Sequence, residues 1–207
     1  MSFPLLIDYN AAMSHGHKFD PKKKANLKDP ERLAREDPEL IWKTLALRRP
    51  QRFVDIGCGV GYAAIPFARK MPDGVVYACD ISMEMLDALG GELETEKAGN
   101  IVPLHMEEVA VPLEDGLADC VYSQNIYHEF HRLDESLAEF MRLLKPGGLL
   151  AIIDWKPGDT PHGPPQEVRV SAEQIISDCA AAGYIDLTPH DVLPYHSFVT
   201  GRKPPRV

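Results

Sequence analysis

Three glycines at alternate positions, Gly57, Gly59 and Gly61, follow an apolar run of Phe53, Val54 and Ile56 that carries Asp55 near its end. A helical pattern begins directly after them. Glycines at a strand-to-helix turn let the backbone pass close under a ligand, where side chains would block it. Nineteen residues beyond Gly61, a second run, Val75 to Cys79, ends in Asp80. An acid at that point can take two ribose hydroxyls. The turn and the acid together predict a nucleoside cofactor, and the spacing narrows its kind. A dinucleotide fingerprint places its third glycine one residue later, where this chain has Tyr62. Asp55 stands two residues before the first glycine and suits an ammonium rather than a pyrophosphate. No Gly-Lys-Ser/Thr follows, which disfavours a nucleoside-triphosphate loop.

Other residues could do chemistry too. His128, in Tyr127-His128-Glu129, has an imidazole suited to act as a base near neutral pH, or it caps a loop. His15 and His17 are too few for a metal site, and none is expected. Cys58, Cys79, Cys120 and Cys179 form no Cys-x-x-Cys pair and read as buried thiols, which fits a reducing cytoplasm. Lys22-Lys23-Lys24 is the one basic run and reads as a solvated patch.

The elements that must position these residues alternate along the chain. Asp37-Pro38-Glu39 opens a helix with cap, proline and acid in the expected places. Strands are predicted near 52–56, 75–79, 101–105, 119–123, 149–154, 185–191 and 195–201. Helices are predicted near 61–71, from Ser82, from Asp134 and from Ser171 to Gly183. Gly90-Gly91 should weaken the Ser82 helix or end it early. Pro146-Gly147-Gly148 should stop the Asp134 helix before the fifth strand, Leu-Leu-Ala-Ile-Ile-Asp154. This alternation predicts right-handed crossovers and a doubly wound sheet, with ligand beyond the strands' carboxyl ends.

Composition bounds the function. At 207 residues the chain is long enough for one domain with a full core. Residues 1–52 carry 11 Lys+Arg against 7 Asp+Glu, a net of +4, and the remainder carries 11 against 24, a net of −13. An acidic body argues against a nucleic-acid partner. No stretch approaches the roughly 20 apolar residues of a membrane span, and the N-terminus does not read as a signal peptide.

Three motifs, in order and in register, carry a family resemblance. Asp55-Ile-Gly-Cys-Gly-Val-Gly61, Asp80-Ile-Ser-Met-Glu-Met-Leu86 and Leu144-Lys-Pro-Gly-Gly-Leu149 resemble motifs of the class I S-adenosylmethionine-dependent methyltransferases, in the ubiquinone/menaquinone-biosynthesis-type group. The resemblance covers about residues 38–201. It implies a Rossmann-like α/β fold, one seven-stranded sheet, mostly parallel with an antiparallel last strand and helices on both faces. It also implies a division into a lid-like segment, 1–36, and a methyltransferase domain, 37–207.

By the same resemblance, Asp55 would face the methionine ammonium of S-adenosylmethionine. Gly57, Cys58, Gly59 and Gly61 would offer backbone, and Asp80 would take both ribose hydroxyls. Ile81 and Met85 would pack on adenine, with ordinary core packing equally open for Met85. Glu107 or Glu108 would accept from the adenine amino group, Glu107 being favoured, with Val109 beside them. Gln124 would approach the methionine end. The chain has Met106-Glu-Glu-Val-Ala-Val-Pro112 where relatives often have Gly-Asp-Ala-x-x-Leu-Pro. His128 falls near the cofactor's methyl end. A small-molecule acceptor is implied. The competing readings are a non-catalytic module that binds this cofactor and a nicotinamide-dependent oxidoreductase, which the glycine spacing disfavours.

Overall fold

A computed structural model describes residues 30–206. His15, His17, Lys22–Lys24 and most of the lid-like segment lie outside the described residues. The described elements are α1 (Pro30–Arg35), α2 (Pro38–Leu45), β1 (Arg52–Ile56), α3 (Ala64–Lys70), β2 (Val75–Asp80), α4 (Met83–Glu96), β3 (Ile101–His105), β4 (Ala118–Gln124), α5 (Leu133–Leu143), β5 (Leu144–Trp155), α6 (Ala172–Ala181), β6 (Ile185–Pro189) and β7 (His196–Arg202). Two short 3-10 turns, Tyr127–Glu129 and Gln166–Val168, punctuate the chain.

The seven strands form one sheet in the order β3-β2-β1-β4-β5-β7-β6. Strands β3, β2, β1, β4 and β5 pair in parallel, and β7 runs antiparallel to both β5 and β6. The winding reverses between β1 and β4. Ligands in such sheets sit in the crevice at that reversal, outside the carboxyl ends of the strands. The motif residues therefore collect at one edge.

Each face of the sheet is covered. Ile41, Ile65, Phe67, Leu86 and Leu89 from α2, α3 and α4 pack with Phe53 and Tyr122 on one side. Leu137, Phe140, Leu143, Ile175 and Cys179 from α5 and α6 pack with Val54, Val121 and Ile152 on the other. Trp42, Phe53, Phe67 and Tyr122 form a chain of ring contacts with centroids 5.2–6.2 Å apart. Rings in this tilted or edge-on arrangement add to burial alone.

Local signals explain most boundaries. Asp37 Oδ1 accepts from the Glu39 N–H at 2.9 Å, and Ser82 Oγ from the Met85 N–H at 3.3 Å. The helix expected to open at Asp134 instead starts at Leu133, with Arg132 at the N-cap and Asp134 inside the first turn beside its positive end, and two boundaries differ by more. The Ser82 helix runs through Gly90-Gly91 to Glu96. Each glycine costs about 1 kcal/mol in a helix, whereas burying Leu86 and Leu89 contributes roughly 1.5–3 kcal/mol each; burial wins.

β5 also starts early, at Leu144 rather than 149. Leu144 pairs with Ala118, and a register shift between Ala118 and Cys120 absorbs the Pro146-Gly147-Gly148 segment. That segment stays extended because Gly147 N–H donates to the Lys203 carbonyl and Lys203 N–H to the Gly148 carbonyl, both at 3.0 Å. The proline already bars its preceding residue from helix.

Candidate cofactor and acceptor site

Asp55 sits at the carboxyl end of β1, between Ala78 of β2 and Tyr122 of β4. It is buried, and its Oδ2 has no hydrogen-bond partner among the described residues. Burial raises its pKa to about 8, the nearby Asp80 carboxylate adds to the rise, and a hydrogen bond from the Ala64 backbone opposes it. Ser123 Oγ and Asn125 Oδ1, at the end of β4, are likewise buried and unpartnered. This edge of the sheet offers unpartnered acceptor atoms on Asp55 and Asn125 and a serine hydroxyl that can donate or accept. It suits a cation that brings its own N–H groups.

The glycine turn is clamped onto β2, because the Gly57 and Cys58 N–H groups both donate to the Cys79 carbonyl, at 2.8 and 3.0 Å. Gly57 has φ +69°, and a Cβ there would lie 2.5 Å from Ile126 Cδ1. Gly59 has φ +53°, and a Cβ there would meet nothing within 4 Å. Gly57 is thus required by the fold. Gly59 presents bare backbone to open space, as close approach of a ligand requires. The Cys58 thiol stays protonated, since burial pushes its pKa up strongly and the Asp55 and Asp80 carboxylates add to it.

Asp80 ends β2 with Oδ2 accepting from the Gly59 N–H and Oδ1 from the Ser82 N–H, both at 2.9 Å. Each carboxylate oxygen keeps a further lone pair for a hydroxyl. Ile81 is 62% exposed beside it, whereas Met85 is 6% exposed and belongs to the core side of α4. The Met106 N–H donates to the Asp80 carbonyl, and Glu107 and Ala110 exchange backbone hydrogen bonds. This fixes the Glu107–Val109 turn next to Asp80. The two glutamates diverge there. Glu108 Oε1 accepts from the His131 and Arg132 N–H groups, at 2.7 and 3.0 Å, and so holds the chain just before α5. Glu107 is exposed and its carboxylate makes no hydrogen bond among the described residues.

Gln124 points elsewhere. Its Oε1 accepts from the Tyr122 hydroxyl at 2.7 Å and its Nε2 donates to Glu36 Oε2 at 2.9 Å. Glu36, just after α1, is 1% exposed. It also accepts from Asn125 Nδ2 at 3.0 Å and Arg32 Nε at 3.3 Å, and its carbonyl accepts from the Tyr62 hydroxyl at 2.8 Å. The Arg32 guanidinium lies 3.6 Å over the Tyr62 ring. The last described turn of the N-terminal segment is therefore bolted to the sheet edge.

His128 lies in the 3-10 turn after β4. Its Nδ1 is 2.8 Å from Oδ1 and 3.0 Å from Oδ2 of Asp154, and its backbone N–H donates to Asp154 Oδ2 at 3.1 Å. Asp154 is fully buried at the carboxyl end of β5. Burial opposes protonation of His128, but the hydrogen bond and charge of Asp154, with Glu129, raise its pKa above the ordinary histidine value. Its Nε2 faces Glu129 Oε1 at 3.8 Å. Tyr127 packs inward, its hydroxyl donating to Asp178 Oδ2 at 2.8 Å. A surface recess is lined by His131–Glu135.

The structure thus brings together Asp55, the glycine turn, Asp80, the Glu107–Val109 turn and His128 along one edge, while the Gln124 side chain turns to Tyr122 and Glu36. Sequence reasoning missed Asp154 and Glu36. Asp154 carried the same signal as Asp55 and Asp80, an acid ending an apolar strand. Glu36 carried none. Among the described residues no group of three or more His, Cys, Asp or Glu could hold a metal. No described helix is long and apolar enough to cross a membrane.

The residues fit S-adenosylmethionine. An orphaned buried carboxylate oxygen answers an ammonium, a bare glycine turn answers close approach, and a carboxylate with spare lone pairs answers a ribose diol. Comparisons with known proteins agree. A family model described as "Methyltransferase domain" matches residues 54–152. The crystal structure of a SAM-dependent methyltransferase from Aquifex aeolicus superposes with TM-score 0.83 at 31% identity, covering 90% of this chain and 100% of that one. O-methyltransferase rstn1 of Aspergillus nomiae is 30% identical, covering 72% of this chain and 66% of that protein. The ubiquinone/menaquinone biosynthesis C-methyltransferase UbiE of Pseudomonas putida is 32% identical, covering 56% and 48%. This chain spans about half to two thirds of the length of those curated relatives. On fold, site and kinship, the chain belongs to the class I S-adenosylmethionine-dependent methyltransferases.

Proposed function

We propose that the chain transfers a methyl group to a small-molecule acceptor. The observation that carries this reading is the unpartnered buried Oδ2 of Asp55 beneath the glycine turn. S-adenosylmethionine, when bound, supplies a methyl group already activated by a positive sulfur. The protein's part is to hold, orient and deprotonate. Asp55 holds the ammonium and Asp80 the ribose diol through charge-assisted hydrogen bonds. Cys58 offers backbone, while Ile81 and Met85 flank adenine. Glu107, with its free carboxylate, takes the adenine amino group, beside the backbone of Glu108 and Val109. Gln124 orders the methionine end through Glu36. His128 removes the acceptor's proton at Nε2.

The described end of the N-terminal segment, residues 30–36, covers this edge, a role supported by the hold of Glu36 on Gln124 and Asn125. A cytoplasmic setting is supported by four unpaired buried cysteines. The acidic body disfavours a nucleic-acid partner. Calorimetric titration with S-adenosylmethionine, S-adenosylhomocysteine, NAD and NADP tests the reading. Binding of the first two is expected, and binding of the nicotinamides alone would overturn it.

A further inference from the structure

The unmet hydrogen-bonding groups along the site edge change character from one end to the other. At β1 and around the end of β4 they are oxygens, Asp55 Oδ2, Asn125 Oδ1 and the Ser123 hydroxyl. Between α1 and β7 they are nitrogens, Arg35 Nε and the two ring nitrogens of His196. Arg35 ends α1, its side chain is only 14% exposed, and it makes no hydrogen bond among the described residues. Its Nε and the His196 Nε2 both approach Glu36 Oε1, at 4.0 and 3.7 Å, beyond hydrogen-bond reach. The other oxygen, Oε2, already accepts from Gln124, Asn125 and Arg32. A guanidinium is a permanently charged fork of five donors. Burying one with its donors unmet is costly, so Arg35 calls for an acceptor that the described residues do not supply.

Charge and position define that acceptor. Arg32 and Arg35 against Glu36 leave one positive charge in excess. His196 adds none, because burial and the nearby Arg35, Arg32 and Lys156 lower its pKa to about 3. Lys156 is turned to the Leu193 carbonyl at 3.4 Å and to Asp191 at 3.8 Å. One free guanidinium suits a carboxylate, whereas a phosphate dianion asks for a second free cation. β7 lies three strands from β1, about 14 Å at the usual strand spacing. The ammonium and carboxylate of an α-amino acid share one carbon, too short a link to serve Asp55 of β1 and a group beside β7 together. Arg32 is the arginine on the cofactor side, stacked over Tyr62 next to the glycine turn. Resting on the methyl-transfer reading, we infer that Arg35 is a specificity-determining residue whose guanidinium binds a carboxylate of the methyl acceptor. β7 is two strands from β4, about 10 Å. The carboxylate is then a handle several bonds from the atom that takes the methyl group, and not the methylated group itself.

The test uses the full chain saturated with S-adenosylhomocysteine and two unreactive probes, 4-phenylbutanoate and 4-phenylbutanamide, which share a body and differ in charge. In NMR titrations of wild type at low salt, the carboxylate should bind at least about tenfold tighter than the amide, as one charge-assisted contact gives. It should also shift the Arg35 side-chain N–H resonances, which the amide should leave in place. Arg35→Gln should remove the preference, and Arg35→Lys, which keeps the charge but loses the fork, should keep part of it. Affinity for S-adenosylhomocysteine should stay within about twofold in both variants. No preference in wild type, unmoved Arg35 resonances, or a preference that survives Arg35→Gln would refute the assignment, and the first two need no variant to fold. A tenfold loss of S-adenosylhomocysteine affinity in Arg35→Gln, with 5′-methylthioadenosine bound as before, would give the arginine to the cofactor's own carboxylate and refute it equally. Failure of wild type to bind S-adenosylhomocysteine would instead sink the methyl-transfer reading.

Discussion

Replacing Asp55 by asparagine separates two roles of one carboxyl. In the cofactor-free protein its pKa is raised from 3.8 to about 8 by burial and the Asp80 charge. The folded state therefore holds a proton that the unfolded chain releases. The contribution of this carboxyl to stability is greatest below about pH 4 and is lost as pH rises from there through 8. Between pH 4 and 7 that shift corresponds to about 4 kcal/mol, an upper figure because water can relax around a buried charge. Asp55→Asn keeps the shape, and its side-chain oxygen can still accept from the Ala64 backbone. It should abolish this slope, so that chemical denaturation at pH 7 and 8 shows a more stable protein than wild type.

Cofactor binding should move the other way. An ammonium beside Asp55 draws out the proton, and at pH 7 a carboxyl with pKa about 8 is about nine-tenths protonated. Calorimetry in two buffers of different ionisation enthalpy should then show wild type releasing nearly one proton more than Asp55→Asn. Taking the difference cancels protons that belong to the ligand. Loss of a charge-assisted bond, worth about 1.5–3 kcal/mol, should also weaken binding roughly tenfold or more in the variant. Equal proton release in the two proteins would show that Asp55 does not face the cation.

Asp80→Ala removes the proposed diol partner and the acceptor for the Gly59 and Ser82 N–H groups; S-adenosylhomocysteine affinity should fall at least about tenfold by calorimetry. Glu36→Ala strips Gln124 and Asn125 of their shared acceptor. It should destabilise the fold by about 1–3 kcal/mol in urea and speed hydrogen exchange in α1. His196 is buried against the Trp155 ring at 4.3 Å; its ring nitrogens make no hydrogen bond among the described residues, Nε2 lies 3.7 Å from Glu36 Oε1, and burial with Arg35 and Arg32 nearby lowers its pKa to about 3. The unfolded chain then gains a proton below pH 6.5 that the fold refuses. Stability should drop by about 2 kcal/mol between pH 6.5 and 5, a loss that His196→Phe should remove.

The sequence by itself determined the parts of the site that are local. Asp55 and Asp80 each end an apolar strand, and the glycines between them make one turn. Strand and turn chemistry act over a few residues, so their positions read directly from spacing. The same reasoning placed every strand of the sheet. It missed the length of α4, because burial of Leu86 and Leu89 offsets the glycine cost only once a core exists. It also missed the start of β5, because Lys203, from the far end of the chain, holds that segment extended.

Tertiary structure alone decided what each polar side chain does at the edge. Gln124 meets Glu36 across 88 residues of chain, Tyr127 meets Asp178 across 51, and His128 meets Asp154 across 26. No local pattern encodes such pairs. They arise because the doubly wound sheet brings the carboxyl ends of β4 and β5 side by side and lays α1 over them. His128 is a lone histidine in the sequence; only the fold sets the fully buried Asp154 2.8 Å behind its Nδ1.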